Sequence, residues 1–331
     1  MSVNWLPKED DRAISAFVVC CESILAAYLG PIEEYMTEAV ERCPLCKGEH
    51  FQPFDRSRFR GFEVINHLCD HCGLVFQSPR MTDEELADFY ASQYRKVYQG
   101  SEEPSEKDLA VQRARAQFLV DLYRRRAPAP DRYLDIGSSA GMLLQTFQSS
   151  MDSVVRGIEP GDAYRKYAGS QGLTVYPSLT TMEGADEDSF DLISLAHVLE
   201  HLRDPVSYLA MLRKKYLHSD GRLLIEVPNL YVHDSFEIAH LISFSAHTLQ
   251  ETLSQAGFEV VLLKRHGHPR STILNLYLTV LAQPAKQRDP GQVTPERGVR
   301  FRRAWGMIKR RIIQRVYPKQ AWLPLPHAEE G

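Results

Sequence analysis

The chain has 331 residues, 44% of them hydrophobic and 25% charged, with a net charge of −4. That composition belongs to an ordinary folded protein and excludes disordered, collagen-like and coiled-coil architectures. The charge is unevenly spread: nine of the 39 Lys and Arg fall in residues 297–319, a stretch with no acid, so the other 30 face all 43 acids. A body this acidic is a poor general binder of phosphate backbones, which need clustered cations.

From Ile14, the apolar residues Phe17, Val18, Cys21, Ile24, Leu25 and Tyr28 recur with helical period up to Gly30-Pro31. They predict a helix over 14–30 that caps a domain, with Cys20 and Cys21 as buried small hydrophobes on different helix faces. The opening residues are acidic where a secretory leader would be basic, and the apolar run 13–29, broken by Glu22, is too short for a bilayer. A reducing, cytoplasmic setting is expected, in which cysteines bind metal rather than form disulfides.

Residues 41–80 alternate short β-type runs with Cys/Gly knuckles. Cys43-Pro-Leu-Cys46 and Cys69-Asp-His-Cys72, with 22 residues between the pairs, offer four thiolates at spacings suited to tetrahedral Zn²⁺. Four sulfurs fill the coordination shell and leave no place for a catalytic water, so the zinc would be structural. His67 and His71 are the rival ligands; Gly73 and Gly48 are expected to ease the two turns. Helices are predicted at 82–99 and 106–126, before the break at Pro128-Ala-Pro130.

From Asp131 strands and helices alternate. Strands are predicted at 133–136, 154–158, 173–176, 190–196 and 222–227. Helices are predicted from 141, around 163–169, at 205–217, and from a Ser245 cap to 256. Runs 258–263 and 272–281 close the region as a hairpin around Gly267-His268-Pro269. This alternation specifies a parallel sheet covered on both faces by helices, with an antiparallel end.

Tyr-Leu-Asp-Ile-Gly-Ser-Ser-Ala-Gly, residues 133–141, places a strand before a small-residue turn and a helix start, so backbone at Gly137, Ser139 and Gly141 can approach a ligand closely. The next strand ends at Glu159, an acid placed to accept hydrogen bonds from both hydroxyls of a ribose. Asp135 at the end of the first strand would repel a pyrophosphate but suits a ligand carrying an amino group. At this point residues 130–285 resemble the class I S-adenosylmethionine-dependent methyltransferases. The resemblance is carried by Leu134–Gly141, Glu159, Phe190-Asp-Leu-Ile193 with His197-Val-Leu-Glu-His-Leu-Arg-Asp-Pro205, and Gly221–Asn229. It implies a Rossmann-like α/β fold with a seven-stranded, mostly parallel sheet ending in an antiparallel hairpin. It also implies S-adenosylmethionine as cofactor, held by Asp135, Gly137, Ser139, Gly141, Glu159 and His197. Ser139 stands where a second glycine is common. No acid follows the third strand, so adenine is expected against apolar groups or backbone, with Glu183 a weak candidate.

The Cys knuckles running into Gly73–Arg80 narrow the resemblance to a bacterial group that joins a zinc-binding domain to a small-molecule methyltransferase, including sugar C-methyltransferases. His240–Leu249 resembles the segment those enzymes use near substrate, but Glu237, Ile238 and Ala239 stand where their catalytic tyrosine and glutamate would be. The expected organisation is a helical cap (1–40), a zinc ribbon (41–80), a helical connector (81–130), the methyltransferase domain (131–285) and a basic tail (286–331). The expected reaction is methyl transfer to a small molecule, a nucleotide sugar or glycan intermediate. His240, His201 and His197 are the candidate bases by location, with His240 first. The alternatives are a zinc-ribbon RNA methyltransferase, against which the acidic body argues, and a non-catalytic module that only binds S-adenosylmethionine. In 297–317, Phe301, Trp305, Ile308, Ile312 and Val316 form one helical stripe among arginines, a pattern suited to an anionic membrane surface. A helix docked on the acidic body is the competing reading.

Overall fold

The computed structural model describes residues 38–59, 62–92, 103–183, 189–234, 236–286 and 291–323. The expected helix at 14–30, with Cys20 and Cys21, lies outside these residues, as does the end of the one expected at 82–99. The chain first forms strands β1 (Phe51–Phe59), β2 (Phe62–Cys69) and β3 (Val75–Gln77), then helices α1 (Asp83–Ser92) and α2 (Glu106–Arg124). The alternating region follows: β4 (Arg132–Ile136), α3 (Met142–Met151), β5 (Val154–Ile158), α4 (Asp162–Ser170), β6 (Val175–Tyr176), α5 (Leu179–Glu183), β7 (Phe190–Ala196), α6 (Pro205–Lys215) and β8 (Leu217–Pro228). It continues through β9 (Ile242–Ser243), α7 (Ala246–Gln255), β10 (Phe258–His266) and β11 (Tyr277–Pro284) to a C-terminal helix α8 (Val299–Val316) and a single turn α9 (Pro318–Ala321).

Seven strands form one sheet in the order β10-β11-β8-β7-β4-β5-β6. The pairs from β8 to β6 are parallel, whereas β11 runs antiparallel to both neighbours. This is the mostly parallel sheet with an antiparallel end that the alternation and the resemblance both imply. Period-two alternation assigns the two faces. Leu134, Ile136, Ile193, Leu195, Ile225 and Val227 pack into one core cluster, while Tyr133, Leu192, Leu224 and Leu281 pack into the other with α2 and α3. Strands buried on both faces carry the continuous apolar runs seen in the sequence. The last strand begins at Tyr277 rather than near 272, because residues 267–276 fold back on themselves. A Cβ at Gly267 would stand 2.1 Å from Leu274 O, and the Ser271 hydroxyl accepts the Leu274 amide at 2.9 Å.

A second sheet has the order β1-β2-β3-β9. Its first three strands are the expected ribbon, but the fourth comes from far along the chain. Val75 and Phe76 pair with Ser243 and Ile242, just before Ser245, whose side chain caps α7 in a reciprocal box with Thr248. Cys43, Val64 and Phe76 share a core cluster with Leu134, Ile225 and Leu249. The ribbon is therefore packed into the same core as the seven-stranded sheet.

Candidate active site

The loops at the carboxyl ends of β4, β5, β7 and β8 converge. After β4, three residues adopt left-handed backbone: Gly137 (φ 74°), Ser139 (φ 52°) and Gly141 (φ 82°). The expected reason for small residues there was room for a ligand, but the structure gives another. A Cβ on Gly137 would stand 2.5 Å from Val198 Cγ2, and one on Gly141 would stand 2.3 Å from Leu173 Cδ1. These glycines let the loop pack against its own chain. Ser139 holds the same conformation with a side chain, at a cost of about 1–2 kcal/mol.

Glu159, buried at the end of β5, is locked by backbone on both oxygens. Oε2 accepts the Ser139 amide at 2.9 Å and Oε1 accepts the Gly161 amide at 2.8 Å. Asp135, at the end of β4, accepts from Ser194, whose hydroxyl lies 2.6 Å from the Tyr133 hydroxyl. Burial pushes the Asp135 carboxyl up to about 7, against those hydrogen bonds. The sequence does not single out Ser194, whose only signal there is a lone polar residue inside a buried strand.

Two cavities meet at Gly137 and His197. The smaller, about 210 Å³, has a polar wall that includes Asp135, Ser139, Asp108, Gln112 and Arg115. The larger, about 420 Å³, is mostly apolar, with Ile158, Pro177, Leu179 and Leu202 around Glu159. S-adenosylmethionine fits this donor set. The acids of the smaller cavity suit its ammonium, Glu159 suits ribose hydroxyls, and the apolar wall suits adenine. Asp108, Gln112 and Arg115 lie on α2, read from sequence only as a connector. Glu183 is turned to other work, accepting from Tyr216 and pairing with Lys215 at 3.4 Å.

Behind the cleft lies a buried polar hub. Glu226, at the end of β8, faces Arg115 Nε at 2.8 Å, His197 Nε2 at 3.1 Å, His266 Nε2 at 3.3 Å and the Thr279 hydroxyl at 3.2 Å. Burial alone would raise the Glu226 carboxyl, but the two histidines and Arg115 hold it well below the usual range. His197 adopts φ 57° and has its other nitrogen, Nδ1, 3.3 Å from Glu200 Oε1. Burial and Arg115 oppose its positive charge, yet the two carboxylates outweigh them and raise its pKa. Glu200 is held down to about 2, its burial overcome by His197, His201 and His240.

His201 also lines the larger cavity. Its Nδ1 lies 2.8 Å from Ala239 O, which can only accept, so Nδ1 carries the proton. Burial outweighs the nearby Glu200 carboxylate and lowers the ring to about 4, leaving it neutral with its lone pair on Nε2, which lies 4.0 Å from Glu200 Oε1. His240 stands edge-on behind it, ring centroids 4.9 Å apart, with Nε2 3.8 Å from Glu237. His240 is not in the wall of either cavity. The three expected histidines are thus brought together, but His201 and His197, not His240, face the cleft.

The four cysteines also converge. Sγ atoms of Cys43 and Cys72, and of Cys46 and Cys69, are 3.5 Å apart, and all four lie within 4.8 Å of one another. Tetrahedral zinc thiolates, with Zn–S near 2.3 Å, place sulfurs about 3.8 Å apart, so the set fits such an ion. The neighbouring sulfurs and burial push the Cys43 thiol well up, a cost that a bound cation would relieve. Gly73 takes φ 81° in the second knuckle as expected, but in the first it is Lys47 that turns left-handed (φ 60°). Gly48 instead admits Cys46, since a Cβ there would lie 3.3 Å from Sγ. His67 packs against Phe51 and Phe76, and His71 is exposed; neither joins the cluster.

Residues 111–263 match a family model described as a methyltransferase domain. Among curated proteins, the chain is 32% identical over 109 residues to the ubiquinone biosynthesis O-methyltransferase of Actinobacillus pleuropneumoniae and 28% identical to that of Haemophilus ducreyi. Each match covers 30% of this chain, and the chain spans about half the length of these relatives, 46% and 45%. Among solved structures, the Burkholderia thailandensis 1,6-didemethyltoxoflavin-N1-methyltransferase with bound S-adenosylhomocysteine covers 67% of this chain and 99% of its own. Its TM-score is 0.48 at 22% identity. An Archaeoglobus fulgidus SAM-dependent methyltransferase covers 57% of this chain and 97% of its own, with TM-score 0.44 at 16% identity. Residues 111–263 thus match a methyltransferase domain by family model, and the strand order is the one the sequence resemblance implies.

Proposed function

We propose that the protein transfers a methyl group from S-adenosylmethionine to a hydroxyl of a small-molecule acceptor, with His201 as the base and a structural zinc held by Cys43, Cys46, Cys69 and Cys72. The observation that carries this reading is the neutral His201, lone pair on Nε2, in the wall of the cavity that holds Glu159. Asp135 would pair with the donor's ammonium and Glu159 with its ribose, which fixes the donor's length across Gly137 and His197. Bound there, the donor supplies an electrophilic methyl on a sulfonium. The protein's share is alignment and removal of one proton from the acceptor. His197 is less suited to that second task than His201, because both its nitrogens stand within 3.3 Å of carboxylates and its charge is stabilised, whereas His201 Nε2 is 4.0 Å from Glu200. His240 supports His201 from behind: the backbone of Ala239 fixes the His201 tautomer, and the adjoining His240 ring limits its rotation.

The nucleotide-sugar acceptor rests on the sequence resemblance, and the structure adds nothing to it. Ile238 and Ala239, which replace that group's catalytic pair in part, are fully buried core residues. A hydroxyl acceptor accords better with the O-methyltransferase names of the curated relatives. The test is incubation with methyl-labelled donor and a panel of phenols, nucleotide sugars, glycans and RNA. Label in a phenol or other hydroxyl supports the proposal. Label in RNA or at a sugar carbon overturns the acceptor class, and no transfer with retained donor binding favours the non-catalytic reading.

A further inference from the structure

We propose that helix α8 is a membrane-docking element that binds an anionic lipid surface through its outward face, beside the cleft. A surface helix ordinarily buries its apolar stripe and exposes its charges. Helix α8 turns most of its apolar side chains outward, while Val299 and Ile313 pack inward. Arg303 donates to the carbonyls of Leu230 and His233, Arg310 donates to Val232 O at 2.9 Å, and Arg300 donates to the carbonyls of Pro53 and Phe54. Gly306 sits so close on this face that a Cβ would stand 2.0 Å from Tyr231 O. The helix is fixed to the body by guanidinium groups on backbone oxygens, so its apolar stripe is not the docking face.

That stripe faces outward: Phe301 is 74% exposed, Trp305 59%, Ile308 46%, Ile312 56% and Val316 58%. Tyr317 and Trp322 extend it with aromatic side chains that are also exposed. Exposed Lys309, Arg311, Arg315 and Lys319 flank it, and none pairs with an acid among the described residues. No helix among those residues is long and apolar enough to cross a membrane. An apolar ridge flanked only by cations is complementary to acyl chains beneath anionic headgroups. It is less complementary to nucleic acid, since the aliphatic Ile308, Ile312 and Val316 offer no flat face on which bases stack. The docked segment includes His233, whose ring lies 5.5 Å from that of Tyr277, itself 5.2 Å from the His197 ring in the cleft wall, so a membrane held by α8 would lie beside the cleft.

The test is co-sedimentation of the full chain with vesicles of phosphatidylcholine alone and of phosphatidylcholine containing about one third phosphatidylglycerol. Binding to the anionic vesicles is expected, with release by high salt. Trp305→Ser with Ile308→Ser and Ile312→Ser should abolish it. Lys309→Glu with Arg311→Glu and Arg315→Glu should weaken it by about 100-fold, given roughly fivefold for each of three cations near the surface. Methylation of a soluble acceptor should persist in both variants. Absence of wild-type binding, or equal binding by the apolar variant, overturns the proposal. So does a wild-type dimer, seen by light scattering, that the apolar variant splits while vesicles are ignored, because the stripe would then be a self-interface. Binding of an RNA oligomer in preference to anionic vesicles would also overturn it.

Discussion

The proposed donor side and acceptor side of the cleft are built differently. On the donor side, the loops after β4 and β5 hold each other through short-range bonds: Glu159 takes the amides of Ser139 and Gly161, and Gly137 and Ser138 donate to Ile158 O at 2.8 and 2.9 Å. On the acceptor side, residues from distant segments meet. The Cys ribbon pairs with β9, Gln77 donates to Leu241 O at 2.9 Å, and Ala239 next to them fixes His201. Arg80 also donates to Arg203 O at 3.0 Å, and Lys47 pairs with Asp204 at 3.1 Å, tying the ribbon to the loop after β7. A donor site can be specified within one βαβ unit, whereas the proposed acceptor site depends on a module that precedes the sheet by some sixty residues of chain. Damage to the ribbon should therefore be felt at the acceptor before the donor.

The largest effect expected is from the ribbon itself. Cys43→Ser or Cys69→Ser should lose bound zinc and much of the stability of residues 41–80, because structural zinc contributes roughly 10–16 kcal/mol of apparent binding energy in small modules. Metal analysis and thermal unfolding check this, and zinc-free wild-type protein of full stability would refute it. If the variant stays folded enough to assay, the comparison predicts a fall in turnover at nearly unchanged donor affinity.

Next comes the base. His201→Ala should lower kcat by ~10²–10⁴, the usual contribution of a positioned base, with a far smaller change in donor affinity through the cavity wall it shares with Glu159. His240→Ala should cost less, as it removes only support for the neighbouring ring. The pH profile of wild-type turnover should show no loss through His201 between pH 5 and 8, because that ring protonates only near pH 4. If His240→Ala is dead and His201→Ala is active, the roles assigned here are reversed.

On the donor side a smaller, graded effect is expected from pH. The Asp135 carboxyl, raised to about 7 by burial, must be ionised to pair with an ammonium. Donor affinity should then fall by up to about tenfold per pH unit below 7 and level off above it. Calorimetry in buffers of different ionisation enthalpy should show proton release near pH 6, absent in Asp135→Asn. The sign for stability is opposite: with a folded pKa above the unfolded value near 3.9, the ligand-free protein loses stability as pH rises from about 4 through 7. Smallest of all, Trp305→Ser should change stability by less than about 0.5 kcal/mol, since that residue is largely exposed. A large drop in the melting temperature would mean that the stripe is covered.

The same contrast decides what could be read from sequence. Asp135, the turn at 137–141, Glu159 and the strands at 154–158 and 190–196 were legible because motif and periodicity are local. The Glu226 hub was not: Arg115 reads as an ordinary charge on a surface helix, and His266 and Thr279 as strand residues, until α2, β10 and β11 close around β8. His240 was ranked first by its place in the chain, yet only the Ala239 carbonyl shows which imidazole nitrogen of His201 carries the proton. Likewise the Cys spacing gave the thiolate set, but not Lys47 as the left-handed residue of its first turn, nor β9 as the ribbon's fourth strand.

The central claim, that S-adenosylmethionine lies across the two cavities with its ribose on Glu159, is tested most directly by calorimetric titration of S-adenosylhomocysteine into wild type, Glu159→Ala and His201→Ala. His201→Ala should bind within a few-fold of wild type, and Glu159→Ala should bind more weakly by about 1.5–3 kcal/mol, the scale of hydrogen bonds to a charged group. Equal affinity in Glu159→Ala, or no binding by the wild type, would contradict the account.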